Sequence, residues 1–115
     1  MNHKNLEVWN RSMNLVLLIY EIGKSFPDHE RFGLESQMKR AAISVPSNIA
    51  EGAARGSTKE FLRFLDIANG SLSELETQLL LTEQLGYART QDILEKEVVI
   101  IRKMLYNLKK SLRKL

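Results

Sequence analysis

Apolar positions recur with alternating steps of three and four along four separate stretches of the chain, the spacing of one face of an α-helix. The last stretch is the most regular. Leu94, Val98, Ile101, Leu105, Leu108, Leu112 and Leu115 form a heptad seam, with Thr90 placed to cap it and Asp92 in the first turn, where a carboxylate suits the helix dipole. The third stretch opens on Ser57-Thr58-Lys59-Glu60, a capping box in which the serine accepts from the Glu60 N–H and the glutamate reaches back. Its seam is Phe61, Leu65, Ala68, Leu72, Leu75, Leu79 and Thr82, and Gly86 supplies a left-handed stop. The second runs from about Leu34 to Arg55 on Leu34, Met38, Ala41, Val45 and Ile49. Pro46 lies in its middle and predicts a kink there, or a break into two shorter helices, of which the kink is favoured.

The first helix, from an Asn5 cap to about Lys24, differs in carrying two apolar stripes. Leu6, Trp9, Met13, Val16 and Tyr20 make one; Val8, Leu15, Ile19 and Ile22 make the other, interrupted by Ser12. A subunit that buries one stripe leaves the other in water, and a contiguous apolar face of that length marks an interface. Self-association is therefore expected, and changing Ile19 to glutamate should either dissociate the oligomer or, where that stripe faces the core, unfold the domain. The connections, residues 25–33, 56–57 and 86–90, are short, which suits antiparallel neighbours. Together these features predict one all-α domain over residues 1–115, an antiparallel up-down-up-down four-helix bundle kinked at Pro46.

A chain of 115 residues has room for one core, and without cysteine neither disulfides nor thiolate metal sites can reinforce it. The absence of cysteine and of a secretory leader at the N-terminus leads to an expectation of a cytoplasmic protein. The longest apolar run, Leu15 to Tyr20, is six residues, far short of a membrane span. Catalytic and metal readings find little support. His3 and His29 complete no ligand pair, and the Glu-x-x-His motif of di-iron bundles, zinc signatures, P-loops and nucleophile elbows do not occur. No enzyme activity, cofactor or metal is expected.

Charge is distributed unevenly. Residues 1–97 carry 11 basic and 14 acidic side chains, whereas residues 98–115 carry six basic and none acidic. Arg102, Lys103, Lys109, Lys110, Arg113 and Lys114 all fall off the leucine seam, with Tyr106 among them. They either contact nucleic-acid phosphates or form the solvated face of a helix whose dipole favours cations near its end. Attachment to anionic lipid is the weaker reading, because the leucines would have to leave the core. A second polar line joins Gln37, Arg40, Ser44, Asn48, Glu51 and Arg55 on helix 2 with Ser71, Glu74 and Gln78 on helix 3. It is either a groove for a ligand or nucleic acid, or a solvated face or inter-subunit hydrogen-bond network. Glu51 stands there as an ion-pair partner for an arginine.

The run from Phe32 to Gly52, Phe-Gly-Leu-Glu-Ser-Gln-Met-Lys-Arg-Ala-Ala-Ile-Ser-Val-Pro-Ser-Asn-Ile-Ala-Glu-Gly, resembles the signature of bacterial four helix bundle proteins, also called intervening-sequence proteins of large-subunit (23S) ribosomal RNA. Leu6-Glu7-Val8-Trp9, Phe26-Pro27 and the stretch from Gly70 to Leu79 are similar to the family's other marks. The resemblance implies a four-helix bundle that assembles as a homopentameric ring, a link to ribosomal RNA and no established enzymatic activity. A related accessory protein of diversity-generating retroelements, which binds nucleic acid and a reverse transcriptase, extends the expected partners to RNA or another nucleic acid and to a polymerase. The combined expectation is a ring-forming nucleic-acid-binding accessory protein with no membrane association. A protein–protein scaffold, using the polar line or the ring's outer surface, is the alternative.

Overall fold

In a computed structural model that describes residues 2–115, the chain is all-α. Its helices are α1 (Glu7–Gly23), α2 (Leu34–Ala54), α3 (Thr58–Gln84) and α4, over residues 91–113. Short 3-10 turns at His3–Asn5 and Asp28–Glu30 precede α1 and α2, and no strand occurs among the described residues. The four helices form a bundle measuring 47 × 24 × 20 Å, with the 27-residue α3 spanning most of its length at about 1.5 Å per residue.

Leucines and small residues spaced by three and four build the core. Leu15 and Ile19 enter it from α1, Met38, Ala41, Ala42, Val45 and Ile49 from α2, Leu65, Ala68, Leu72, Leu75 and Leu79 from α3, and Val98, Ile101 and Leu105 from α4. All seven positions of the α3 seam are buried. The α4 seam is buried as far as Leu112 except for the half-buried Leu108, while Leu115, past the last turn, is exposed. Ser12 lies within the core stripe of α1, its hydroxyl satisfied by donating to the Trp9 carbonyl at 2.8 Å.

α2 and α3 approach most closely. A Cβ on Gly52 would sit 2.7 Å from Phe64 Cβ and 3.0 Å from Phe61 Cδ1, so only glycine lets the backbones come together there. Farther along, Ser44 Oγ lies 2.8 Å from Ser71 Oγ, and Thr82 Oγ1 lies 3.2 Å from Met38 Sδ. α2 continues without a break through Pro46, whose ring is buried, which removes the two-helix alternative. Flanking Val45 and Ile49 are fully buried, and that packing holds the turn across the missing N–H.

Three end signals differ from expectation. α1 is capped by the backbone of Leu6 without a side-chain acceptor; Asn5 belongs to the preceding 3-10 turn, where the Asn2 side chain accepts from the Lys4 N–H. Ser57 does accept from the Glu60 N–H at 3.1 Å, but the Glu60 carboxylate turns to Arg63 Nε at 2.8 Å instead of reaching back. A nearby guanidinium is a stronger partner than a neutral amide. Thr90 is the N-cap residue of α4, but its hydroxyl makes no capping bond and donates instead to the Leu79 carbonyl at 2.8 Å, while its N–H donates to Glu83 Oε1 at 2.7 Å. It anchors the start of α4 onto α3. The first turns of α4 are also uneven, an α turn Gln91–Ile93 and a π-helical segment Leu94–Val98 leading into regular helix from Val99 to Arg113. Gly86, at φ +79°, ends α3 as expected.

The α1–α2 and α3–α4 connections are fastened to each other. Glu30 accepts from the Leu34 N–H at 3.1 Å, capping α2, and from the Tyr87 hydroxyl at 2.9 Å. These bonds, the backbone one first, hold the Glu30 carboxyl below the usual carboxylate range, and the same carboxylate raises the Tyr87 phenol.

Candidate nucleic-acid interface

α4 turns its seam inward and thereby sorts its cations into two sets. Arg102 and Lys109 flank α3. The Arg102 guanidinium donates to both Glu76 oxygens at 3.2 and 3.4 Å and to Ser73 Oγ at 3.2 Å, and Lys109 Nζ pairs with Asp66. These contacts hold α4 to α3 and cancel two carboxylates that would repel a polyanion.

Lys103, Lys110 and Lys114 form the second set. Seven and then four residues apart, they fall within about 60° of one another around the helix and share its outer face. Arg113 is exposed beside them. Among the described residues, none of these four has an acidic partner within 4.0 Å. Tyr106 is 61% exposed in their midst.

The bundle adds cations that the linear pattern did not gather. Leu112 and Leu115 border a shallow depression of about 290 Å³ with Ala53, Arg55, Gly56 and Ser57, so the basic end of α4 lies against the α2–α3 turn. That turn carries Arg55, and Lys59 and Arg63 follow in the first two turns of α3. Arg55 pairs with Glu51 at 3.0 Å and Arg63 with Glu60 at 2.8 Å, and both guanidiniums lie over the Phe64 ring, 4.9 and 4.5 Å from its centroid. The Arg63 hydrogen bond holds the Glu60 carboxyl below its ordinary range. Lys59 and Arg63 were absent from the candidate residues. Their position just after the short turn, which Leu112 and Leu115 border, is a feature that charge counting does not detect.

The polar line on α2 and α3 does not make one groove. Its middle is closed on itself: Ser44 meets Ser71, and Asn48 Nδ2 donates to the Ser44 carbonyl and hydroxyl at 2.8 and 2.9 Å. At one end Glu51 is the ion-pair partner of Arg55. At the other, Gln37, Arg40 and Glu74 line a separate depression of about 280 Å³. Gln78 is buried, with its Oε1 lacking a hydrogen-bond partner.

The other open surface is apolar. Trp9, Met13 and Val16 of α1 and Ile43, Pro46 and Ala50 of α2 line a groove of about 360 Å³, with the His3 ring edge-on to Trp9 at 5.0 Å. Met13 and Tyr20 are each 43% exposed and Leu17 is 67% exposed. The stripe holding Trp9 is therefore the outer one. Ile19, at 1% exposure, is a core residue and not an interface position, because Leu15, Ile19 and Val8 point at the bundle axis.

Among the described residues no group of three or more His, Cys, Asp or Glu is placed to hold a metal ion, and no helix is long and apolar enough to cross a membrane. No curated protein matches the chain. The family described as 23S rRNA-intervening sequence protein matches residues 4–107, a stretch that includes Arg102, Lys103 and Tyr106 and stops short of Lys109, Lys110, Arg113 and Lys114. Since that match runs through all of α1, α2 and α3 and most of α4, the chain belongs to the 23S rRNA-intervening sequence protein family.

Proposed function

We propose that this protein is a non-enzymatic accessory factor that assembles into a ring, a homopentamer, and binds RNA or another nucleic acid through the outer faces of its α4 helices. Each copy is one domain, an up-down-up-down antiparallel bundle with α2 kinked at Pro46. The observation carrying the reading is the set of four exposed cations, Lys103, Lys110, Arg113 and Lys114, without acidic partners on a helix end that has no acid of its own. Lys59 extends the same surface. Arg102 and Lys109 serve it indirectly, by holding down Glu76 and Asp66. The family's description, which names a 23S rRNA intervening sequence, supports ribosomal RNA as the first nucleic acid to test.

Association through the outer stripe of α1 would bring several copies of the cationic surface together, and linked sites bind a polymer more tightly than one site does. Each neutralised phosphate contributes about −0.7 (single strand) to −0.9 (duplex DNA) to the log–log salt slope, so four contacts per copy give a slope near −3 per engaged subunit. The test is fluorescence anisotropy with labelled RNA at rising salt. Reversing Lys103, Lys110, Arg113 and Lys114 to glutamate should abolish binding while the circular dichroism spectrum and oligomer mass stay unchanged. Unchanged affinity in such a folded oligomer would refute the assignment.

A scaffold for another protein, such as a polymerase, is the second reading, favoured by Arg40 and Glu74 beside Gln37, neither of them in an ion pair among the described residues. A protein partner that survives nuclease and high salt, and is lost on Arg40→Glu, would select it.

A further inference from the structure

We infer that the outer face of α4 takes single-stranded nucleic acid, with a base stacked on the Tyr106 ring and phosphates held by Lys103, Lys110 and Lys114. This rests on the nucleic-acid reading above and narrows it to a substrate class.

Single exposed tyrosines are ordinary, so the surroundings decide. Tyr106 follows Lys103 by three residues and precedes Lys110 by four, one helical turn from each and on the same surface. Arg102, Lys109 and Arg113 are its other neighbours at helical spacing, which leaves it bordered by cations and by no acid of its own helix. The side chain is also largely exposed. Tyr20 lies under Lys39 Nζ at 4.7 Å and Phe32 under the Arg31 guanidinium at 5.5 Å, whereas among the described residues no cation lies over the Tyr106 ring. The two flanking cations that could fold back over it, Arg102 and Lys109, are drawn aside to Glu76 and Asp66 on α3.

An exposed ring framed by phosphate-binding cations suits a strand whose bases are unstacked and available. A duplex keeps its bases stacked inside, and the deep, narrow major groove of A-form RNA does not admit side chains, so the ring would gain nothing there. Stacking on an aromatic side chain is tolerant of sequence because every base has a π-face, and its removal costs roughly 5- to 150-fold in affinity per base.

The test uses the full-length protein and anisotropy with labelled oligouridine, oligothymidine and a blunt RNA duplex of equal length at low salt. Single strands should bind more tightly than the duplex; oligouridine and oligothymidine separate an RNA from a DNA strand, and preference for either supports the inference. Tyr106→Ala should weaken single-strand binding about tenfold with the salt slope unchanged, Tyr106→Phe should keep wild-type affinity, and duplex binding should be the same in both. Lys110→Glu should instead reduce the slope for every probe. If Tyr106→Ala binds single strands as wild type does while Lys110→Glu still weakens them, the stacking inference fails and the broader reading stands. If wild-type protein binds none of the three probes, both fail.

Discussion

The α2–α3 seam and the outer face of α1 use the same kinds of residue to opposite ends. Along the seam, Ala41, Val45 and Ile49 meet Leu65, Ala68 and Leu72, all at 3% exposure or less, and Gly52 brings the backbones close enough that even a methyl would collide. On α1, Trp9, Met13, Val16, Leu17 and Tyr20 form an equally apolar surface that the rest of the chain covers only in part. The seam is finished within one subunit; the α1 face is not. Similar patterns thus differ in consequence, since burial in the seam stabilises the chain itself, whereas full burial of the α1 face would take another molecule.

Substitutions can press on that difference from its strongest point to its weakest. Leu72→Ala, at a fully buried site, should cost about 2–5 kcal/mol in chemical denaturation, through lost transfer energy and the cavity left behind. Gly52→Ala should cost about 1–3 kcal/mol by overpacking against Phe64 and Phe61, which outweighs the 0.5–1 kcal/mol or so that alanine gains in a helix interior. A gain in stability would mean that the helices can separate freely. Ser57→Ala removes the acceptor for the Glu60 N–H and should lower stability by about 1 kcal/mol, read as a modest fall in the melting temperature. Leu17→Glu should change the stability of the single subunit by no more than about 0.5 kcal/mol, because the side chain is already mostly in water. A cooperative loss of helix in that variant would place Leu17 in the core and erase the distinction.

Much of the fold was legible because it depends on local spacing. The α3 seam, the Gly86 stop and the Ser57 cap follow from residues within a few positions of one another, and all three are present. Thr90 is the N-cap residue of α4 as the spacing indicates, but where its side chain bonds is not legible locally. The Thr90 hydroxyl looks like an N-cap until the Leu79 carbonyl, 11 residues back, takes it. Two stripes on α1 were visible, but their order was not: Ser12 makes the inner stripe look weaker, and only the Trp9 carbonyl accepting its hydroxyl shows how it is accommodated. The same limit applies to the candidate interface. Six cations on α4 were evident, yet their division depends on Glu76 and Asp66 of α3 lying opposite Arg102 and Lys109. Arg55 comes beside the basic end of α4 only after α2 and α3 have folded back on each other.

The proposed ring and the proposed pooling of its cations both depend on the α1 face being covered by another copy. Light scattering of the purified protein at micromolar concentration measures this directly. The expected mass is a multiple of the 13.2 kDa chain, falling to a single folded chain in Leu17→Glu; a wild-type mass of 13.2 kDa would contradict the account.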